Sequence, residues 1–230
     1  MTRKFLLVTA LVAGVAATAE AQICAGTAPF TAGNMRVALG AEFPDGGKTY
    51  GGQLAWGLGN GMYFGGNVAR SSLDNTDINW MEFGANAGYE MRFESMPKIR
   101  VCPTASLGYG NGPDVLGVDV STIDYSLGAS IGSVLSASDN IAIVPSANLS
   151  WVGLRAKGEQ GGASTTASDS WGQAHLAAGI VFNRAFTFAP VVTIPFSDSG
   201  GETRFGFAAS YNFGRSGGVM QQGSKRGRKR

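Results

Sequence analysis

Hydrophobic and polar residues alternate with period two over most of the chain after residue 33. From 34 to 43, Met35, Val37, Leu39, Ala41 and Phe43 fall on one face and Asn34, Arg36, Ala38, Gly40 and Glu42 on the other. From 80 to 93, Met81, Phe83, Ala85, Ala87, Tyr89, Met91 and Phe93 oppose Glu82, Gly84, Asn86, Gly88, Glu90 and Arg92. The stretches 122–131 and 203–213 repeat the pattern. Alternation at this period is the mark of strands whose two faces meet different environments. Ten such segments can be drawn, at 34–43, 48–58, 62–71, 78–93, 98–110, 120–135, 140–154, 171–183, 186–196 and 203–213. Nearly all reach the 9–11 residues that a tilted membrane strand needs, where ordinary strands average about 5–6.

The joins between segments alternate as well. Those at 59–61, 94–97, 136–139 and 184–185 are tight, whereas the other set includes the long polar stretch 155–170. Short turns on one side and longer loops on the other are expected of an even-stranded antiparallel barrel in a membrane. The fold expected is therefore all-β, an antiparallel up-and-down transmembrane β-barrel of ten strands, with eight as the alternative count.

The chemistry of the two faces decides which side is apolar. In a soluble barrel the polar face meets water and is rich in Lys and Glu. Here it is mostly Gly, Ser, Asn, Ala and Thr. Aromatics on the apolar face gather at segment ends. Trp56, Phe64, Tyr89, Phe93, Phe182, Phe186, Tyr211 and Phe213 lie near the short turns, and Phe43, Tyr50, Tyr109, Tyr125, Trp151, Phe196 and Phe205 near the long loops. Two aromatic girdles around an aliphatic band are what the two membrane interfaces select. A soluble secreted β-protein is the competing reading.

Composition sharpens this picture. Charged residues are 15% of the 230, glycine accounts for 35 residues, and the formal net charge is +2. That net charge averages unlike parts. Residues 214–230 hold six basic residues and no acid, while 22–213 is net acidic. An acidic body excludes a basic nucleic-acid-binding domain. Residues 1–21 read as a signal peptide, with Arg3 and Lys4 before an apolar run and Ala19-Glu20-Ala21 as the cleavage pattern. The expected organisation is 1–21 signal peptide, 22–213 outer-membrane barrel, and 214–230 a basic periplasmic tail without fixed structure. The tail is suited to touch anionic lipid or peptidoglycan by charge.

The leader, the alternating segments from 34 to 213 and the final segment RFGFAASYNF together resemble the small bacterial outer-membrane β-barrel families, the OmpA-like and opacity-like porin group. The resemblance implies location in the bacterial cell outer membrane, outer-membrane lipid as surroundings, and a structural or surface role or a narrow passive channel. It also implies that Tyr211 and Phe213 form the aromatic terminal signal read by the barrel-assembly machinery. Seventeen residues follow Phe213, a departure from families whose aromatic ends the chain.

Candidate chemistry is sparse. Arg36, Glu42, Glu82, Glu90, Arg92, Arg100, Asp124 and Arg204 share the polar face and are expected to pair inside the barrel, because unpaired buried charge is costly. Cys24 and Cys102 are the only cysteines and form a candidate disulfide in an oxidising compartment, tying residues 22–32 to the short-turn mouth. His175 is the only histidine. With Asn148 or Ser150 on the preceding segment it meets the minimum for a barrel enzyme acting on lipid or peptide, the alternative function; the leading expectation is no enzymatic activity. Metal-ligand spacing motifs are absent, no cofactor is implied, and the acid-bearing stretches 74–77 and 198–202 read as ordinary loop chemistry with at most weak Ca²⁺ affinity. Pro103, Pro145 and Pro190 each fall inside a segment, where a bulge is expected.

Overall fold

The computed structural model describes residues 24, 33–58, 61–96, 98–112, 118–136, 138, 140–197 and 201–213. The leader over 1–21 and the tail over 214–230 lie outside the described residues.

Ten antiparallel strands form one closed barrel. They are β1 (Met35–Phe43), β2 (Gly47–Gly57), β3 (Met62–Leu73), β4 (Asn79–Tyr89, resuming at Met91–Arg92), β5 (Ile99–Asn111), β6 (Asp119–Ser133, resuming at Leu135–Ser136), β7 (Ile141–Gln160), β8 (Ala163–Phe182), β9 (Phe186–Pro195) and β10 (Arg204–Phe213). Each strand pairs with its sequence neighbours, and β1 pairs with β10 from Met35↔Phe213 to Phe43↔Phe205, which closes the ring. Closure removes the free edges that an open sheet exposes. Eight strands are excluded.

Alternation places the two residue sets where the pattern requires. The small and polar residues point inward, and Leu39, Leu54, Val68, Phe83, Leu107, Leu127, Leu149 and Leu176 point outward and are exposed. All fifteen girdle aromatics named above are exposed too. Ring contacts tie parts of the girdles together, including Trp56–Phe64 stacked at 6.5 Å between β2 and β3 and Tyr211–Phe213 edge-on at 4.8 Å along β10.

Two expectations are corrected. The stretch 155–170 is not a loop. β7 and β8 are both 20 residues long and pair without interruption from Phe182↔Ile141 to Ala163↔Gln160. They are joined by Gly161 and Gly162, both at positive φ (58° and 85°), the backbone that a tight hairpin turn demands and that glycine adopts at no steric cost. β9 pairs with β8 only from Gln173 onward, so residues 163–171 of β8 have β7 alone as their strand partner, while β7 stays paired with β6 as far as Asp119↔Glu159. The asymmetry expected in loop length thus appears as strand length.

The prolines do not make bulges. Beside each one the ladder loses its bonds for two residue pairs and resumes in the same register. β4 breaks at Glu90, opposite Cys102 and Pro103, between Gly88↔Thr104 and Met91↔Val101. β6 breaks at Val134 between Gly132↔Ser146 and Leu135↔Ile143, around Pro145. The β8–β9 ladder breaks between Ala177↔Val191 and Ile180↔Phe188, around Pro190. Proline lacks an N–H, so it removes a bond; a bulge would need an inserted residue, and none is inserted.

Candidate functional site

The chemistry of the chain lies in the barrel interior, which divides into four levels between the short-turn end, where β1 begins and β10 ends, and the opposite, long-loop end.

Nearest the short turns is an ion layer. Glu90 Oε1 accepts a hydrogen bond from Arg92 Nε at 3.1 Å and forms an ion pair with Arg100, whose Nε stands 3.4 Å away. Arg36 Nε donates to Asn212 Oδ1 at 2.7 Å. The break in β4 beside Pro103 falls at Glu90, two residues before Arg92, which pairs with Arg100 across the ladder. Arg92 is half-exposed at the mouth, whereas Arg36, Glu90 and Arg100 are buried. The disulfide Cys24–Cys102 sits at this level, with the two Cα atoms 6.1 Å apart and both residues buried. It brings Cys24 to the inner side of β5, four places around the ring from β1. Residues 25–32, which link Cys24 to β1, lie outside the described residues.

The middle level is knit by neutral side chains. Asn148 Nδ2 donates to Ser130 Oγ at 2.7 Å, the hydroxyls of Ser106 and Ser126 are 2.7 Å apart, and Gln53 Nε2 donates to Asn86 Oδ1 at 3.3 Å.

Toward the long loops runs a hydrogen-bond chain with one possible direction. Trp171 Nε1 donates to Gln173 Oε1 (3.3 Å), an indole N–H being a donor only. The Gln173 amide nitrogen therefore donates to His175 Nε2 (3.0 Å), whose lone pair is then occupied. The ring hydrogen must sit on Nδ1, which donates to Thr193 Oγ1 (2.9 Å), and Thr193 in turn donates to Glu42 Oε1 (2.8 Å). Arg204 Nε stands 3.7 Å from the same carboxylate oxygen. The single histidine is thus held neutral, as one tautomer, by partners on β8 and β9. A hydrolase would need a hydroxyl donating into the imidazole lone pair. Here Gln173 occupies that position.

Above this chain an apolar cap crosses the lumen. Trp80 of β4 packs in one buried cluster with Val152 and Leu154 of β7 and Trp171 of β8, with Leu73 and Ile78 against it. β4 stands three places from β7 and four from β8, so these side chains meet across the interior. Trp80 Nε1 also donates to Glu82 Oε1 at 2.8 Å.

The eight charges expected to pair are all on inward-facing positions, but only part of the set is brought together. Glu90 joins Arg92 and Arg100, and Glu42 joins Arg204. Glu82 is bonded to an indole, and Asp124 Oδ2 has no hydrogen-bond partner among the described residues. Tyr211 and Phe213 face outward at the short-turn end of β10. At the long-loop rim, the Asp45 side chain hydrogen-bonds Glu202 and adds its like charge, which together raise the Glu202 carboxyl above the usual range. The stretch 74–77 carries ordinary turn bonds, such as Thr76 Oγ1 to the Leu73 carbonyl at 3.2 Å. Asp198 lies outside the described residues. Sequence reasoning missed Trp80, Trp171 and Thr193 as lumen residues, although their inward parity was legible in the same alternation.

No family model matches the chain, and no curated protein matches it. Among solved structures the chain is similar in fold to small bacterial outer-membrane barrels. The N-terminal beta-barrel domain of Pseudomonas aeruginosa OprF aligns at 10% identity over 79% of this chain and 98% of that one, with TM-score 0.36. Ail, the attachment invasion locus protein of Yersinia pestis, aligns at 14% identity over 80% and 100%, with TM-score 0.34. The KdgM porin aligns at 11% identity over 78% and 99%, with TM-score 0.42.

Proposed function

We propose that the chain is a bacterial outer-membrane barrel with a structural and surface-presenting role. The observation that carries this is polarity turned inside out: the exposed wall is an aliphatic band between two aromatic girdles, seven charged side chains are buried inside, and outward charges such as Arg70 and Arg155 stand toward its long-loop end. In water such a wall is a very large apolar patch; in a bilayer it meets outer-membrane lipid, with the girdles at the two head-group levels. On this reading the short turns face the periplasm, and the extended β7–β8 hairpin stands above the outer surface. The cross-lumen cap supports a closed barrel.

An epitope inserted at Gly161–Gly162 tests the reading. We expect a heat-modifiable protein in the outer-membrane fraction, with the epitope detected on intact cells. A protein recovered in the soluble periplasmic fraction contradicts it.

A second reading, a narrow passive channel, is favoured by the polar and glycine-rich middle level between cap and ion layer. Planar-bilayer conductance of the purified barrel distinguishes the two. We assign no reaction to His175, whose lone pair is occupied by Gln173.

A further inference from the structure

In the outer half of the lumen, one patch of the inner wall is bare backbone. Gly84 of β4 pairs directly with Gly108 of β5, and the next inward position on β5, Gly110, pairs with Glu82 of β4. Side chains lean over this glycine floor from both sides. From β3, Asn67 pairs with Gly84 and covers it, its Oδ1 and Nδ2 standing 2.7 and 3.0 Å from where a Gly84 Cβ would be. From β6, Asp124 pairs with Gly108 and covers it, with Cγ and Oδ2 each 2.8 Å from the corresponding point. Asn67, Gly84, Gly108 and Asp124 therefore form one row across four strands, with two oxygen-bearing side chains turned toward each other over two residues that have none. Glu82 enters from the row above, its Cγ 3.2 Å from where a Gly110 Cβ would be.

Two features of this arrangement call for a ligand. Asp124 is only 4% exposed, and its Oδ2 has no hydrogen-bond partner among the described residues. Among the described residues, the ion pairs of the lumen use neither Asp124 nor Glu82. Two converging buried carboxylates without a counter-charge repel each other and lose hydration, a costly state that a bound cation relieves. The spacing suits a hard divalent ion. Neighbouring strands lie about 4.8 Å apart, so groups seated over paired residues of adjacent strands face each other across roughly that distance. Two Ca²⁺–oxygen bonds of about 2.3–2.6 Å span the same gap.

We propose that Asn67, Glu82 and Asp124 form an intraluminal site for a divalent cation of the Ca²⁺ class, with the Asn67 amide oxygen and the two carboxylates as protein ligands and lumen water completing the shell. The two carboxylates balance the ion's charge. The glycines Gly84, Gly108 and Gly110 are the clearance that lets the ligands and the ion lie flat against the wall. The apolar cap lies on the long-loop side of the site and the arginine-rich layer on the other, so the ion is taken up as the barrel closes and is retained as a structural ion.

Trp80, bonded to Glu82, supplies the probe. The full chain is unfolded in urea with chelator, refolded in detergent micelles with Tb³⁺, and excited through tryptophan. Saturable sensitised emission is expected, displaced by Ca²⁺. Asp124→Asn and Glu82→Gln are each expected to weaken Tb³⁺ by about tenfold or more, since affinity for such ions follows ligand charge. Asn67→Asp adds a charge and is expected to tighten binding by a similar factor, so the idea remains testable if the other variants fail to refold. The rim variant Asp45→Asn/Glu202→Gln is expected to keep the signal. Absence of sensitised emission from the wild-type chain overturns the proposal. So does emission lost in the rim variant, or an affinity unchanged by Asn67→Asp.

Discussion

Replacing Cys24 and Cys102 with serine tests how much the barrel depends on the covalent tie at its short-turn mouth. The bridge spans 78 residues of sequence and so encloses β1 to β4 in one loop. Breaking it leaves the native contacts of the strands in place and frees the unfolded chain. Loop-closure entropy for a ring of that size corresponds to about 4.5 kcal/mol at 25 °C, a factor of roughly two thousand in the unfolding equilibrium. The tie also anchors Cys24 against β5, while Gly33 and Asn34 are bonded to Gly57 beside β1. Equilibrium urea unfolding of the refolded barrel in phospholipid vesicles, followed by tryptophan fluorescence, reads the difference. The double variant is expected to lose about 2–5 kcal/mol, and the wild-type chain in reductant to match it. A loss below about 1 kcal/mol, or a wild-type transition indifferent to reductant, refutes the reasoning.

Thr193→Val removes the hydroxyl between His175 and Glu42, taking the acceptor from a buried ring N–H and the hydroxyl donor from Glu42 Oε1; we expect a loss of about 1–3 kcal/mol in the same assay, where a surface Thr→Val change costs almost nothing. Trp80→Ala deletes the cross-lumen cap; about 3–5 kcal/mol of stability should be lost and single-channel conductance in planar bilayers should rise, whereas unchanged conductance shows that the cap does not close the lumen. Pro145→Ala returns an N–H to the break between β6 and β7; amide exchange at Val134 is expected to slow, and exchange as fast as in the parent chain shows that the break has another cause.

Much of the architecture was legible because a barrel wall enforces one rule at every residue. Leu39, Phe83 and Leu127 must point one way and Arg36, Glu82 and Asp124 the other, and a period of two records that directly. The girdle aromatics were legible for the same reason, since their position along the strand fixes their depth. The distal half of the β7–β8 hairpin was not legible. Residues 163–170 are Ser, Thr, Ala and Asp on both faces, and both faces are largely exposed, so no alternation survives; only the Gly161–Gly162 pair hints at a turn. The proline breaks were half legible, because sequence shows the missing donor but not whether the register slips. The lumen network was least legible. Parity put His175, Thr193, Gln173 and Trp171 on one side of the wall, but their order in a chain depends on which strands meet and at what register. The same limit hid the row from Asn67 to Asp124, whose members are 57 positions apart and are joined only through β4 and β5.

The central claim is that the apolar surface of the barrel faces lipid and the charged surface faces the lumen, and the four tryptophans report on it directly. Trp56 and Trp151 lie on the outer wall, 43% and 54% exposed, while Trp80 and Trp171 lie inside at 3% and 2%. Single-tryptophan variants refolded into vesicles of brominated phospholipid should show strong quenching at Trp56 and Trp151 and little at Trp80 and Trp171. Equal quenching of all four, or protection of Trp56 and Trp151 with an aqueous quencher reaching them instead, would contradict the account.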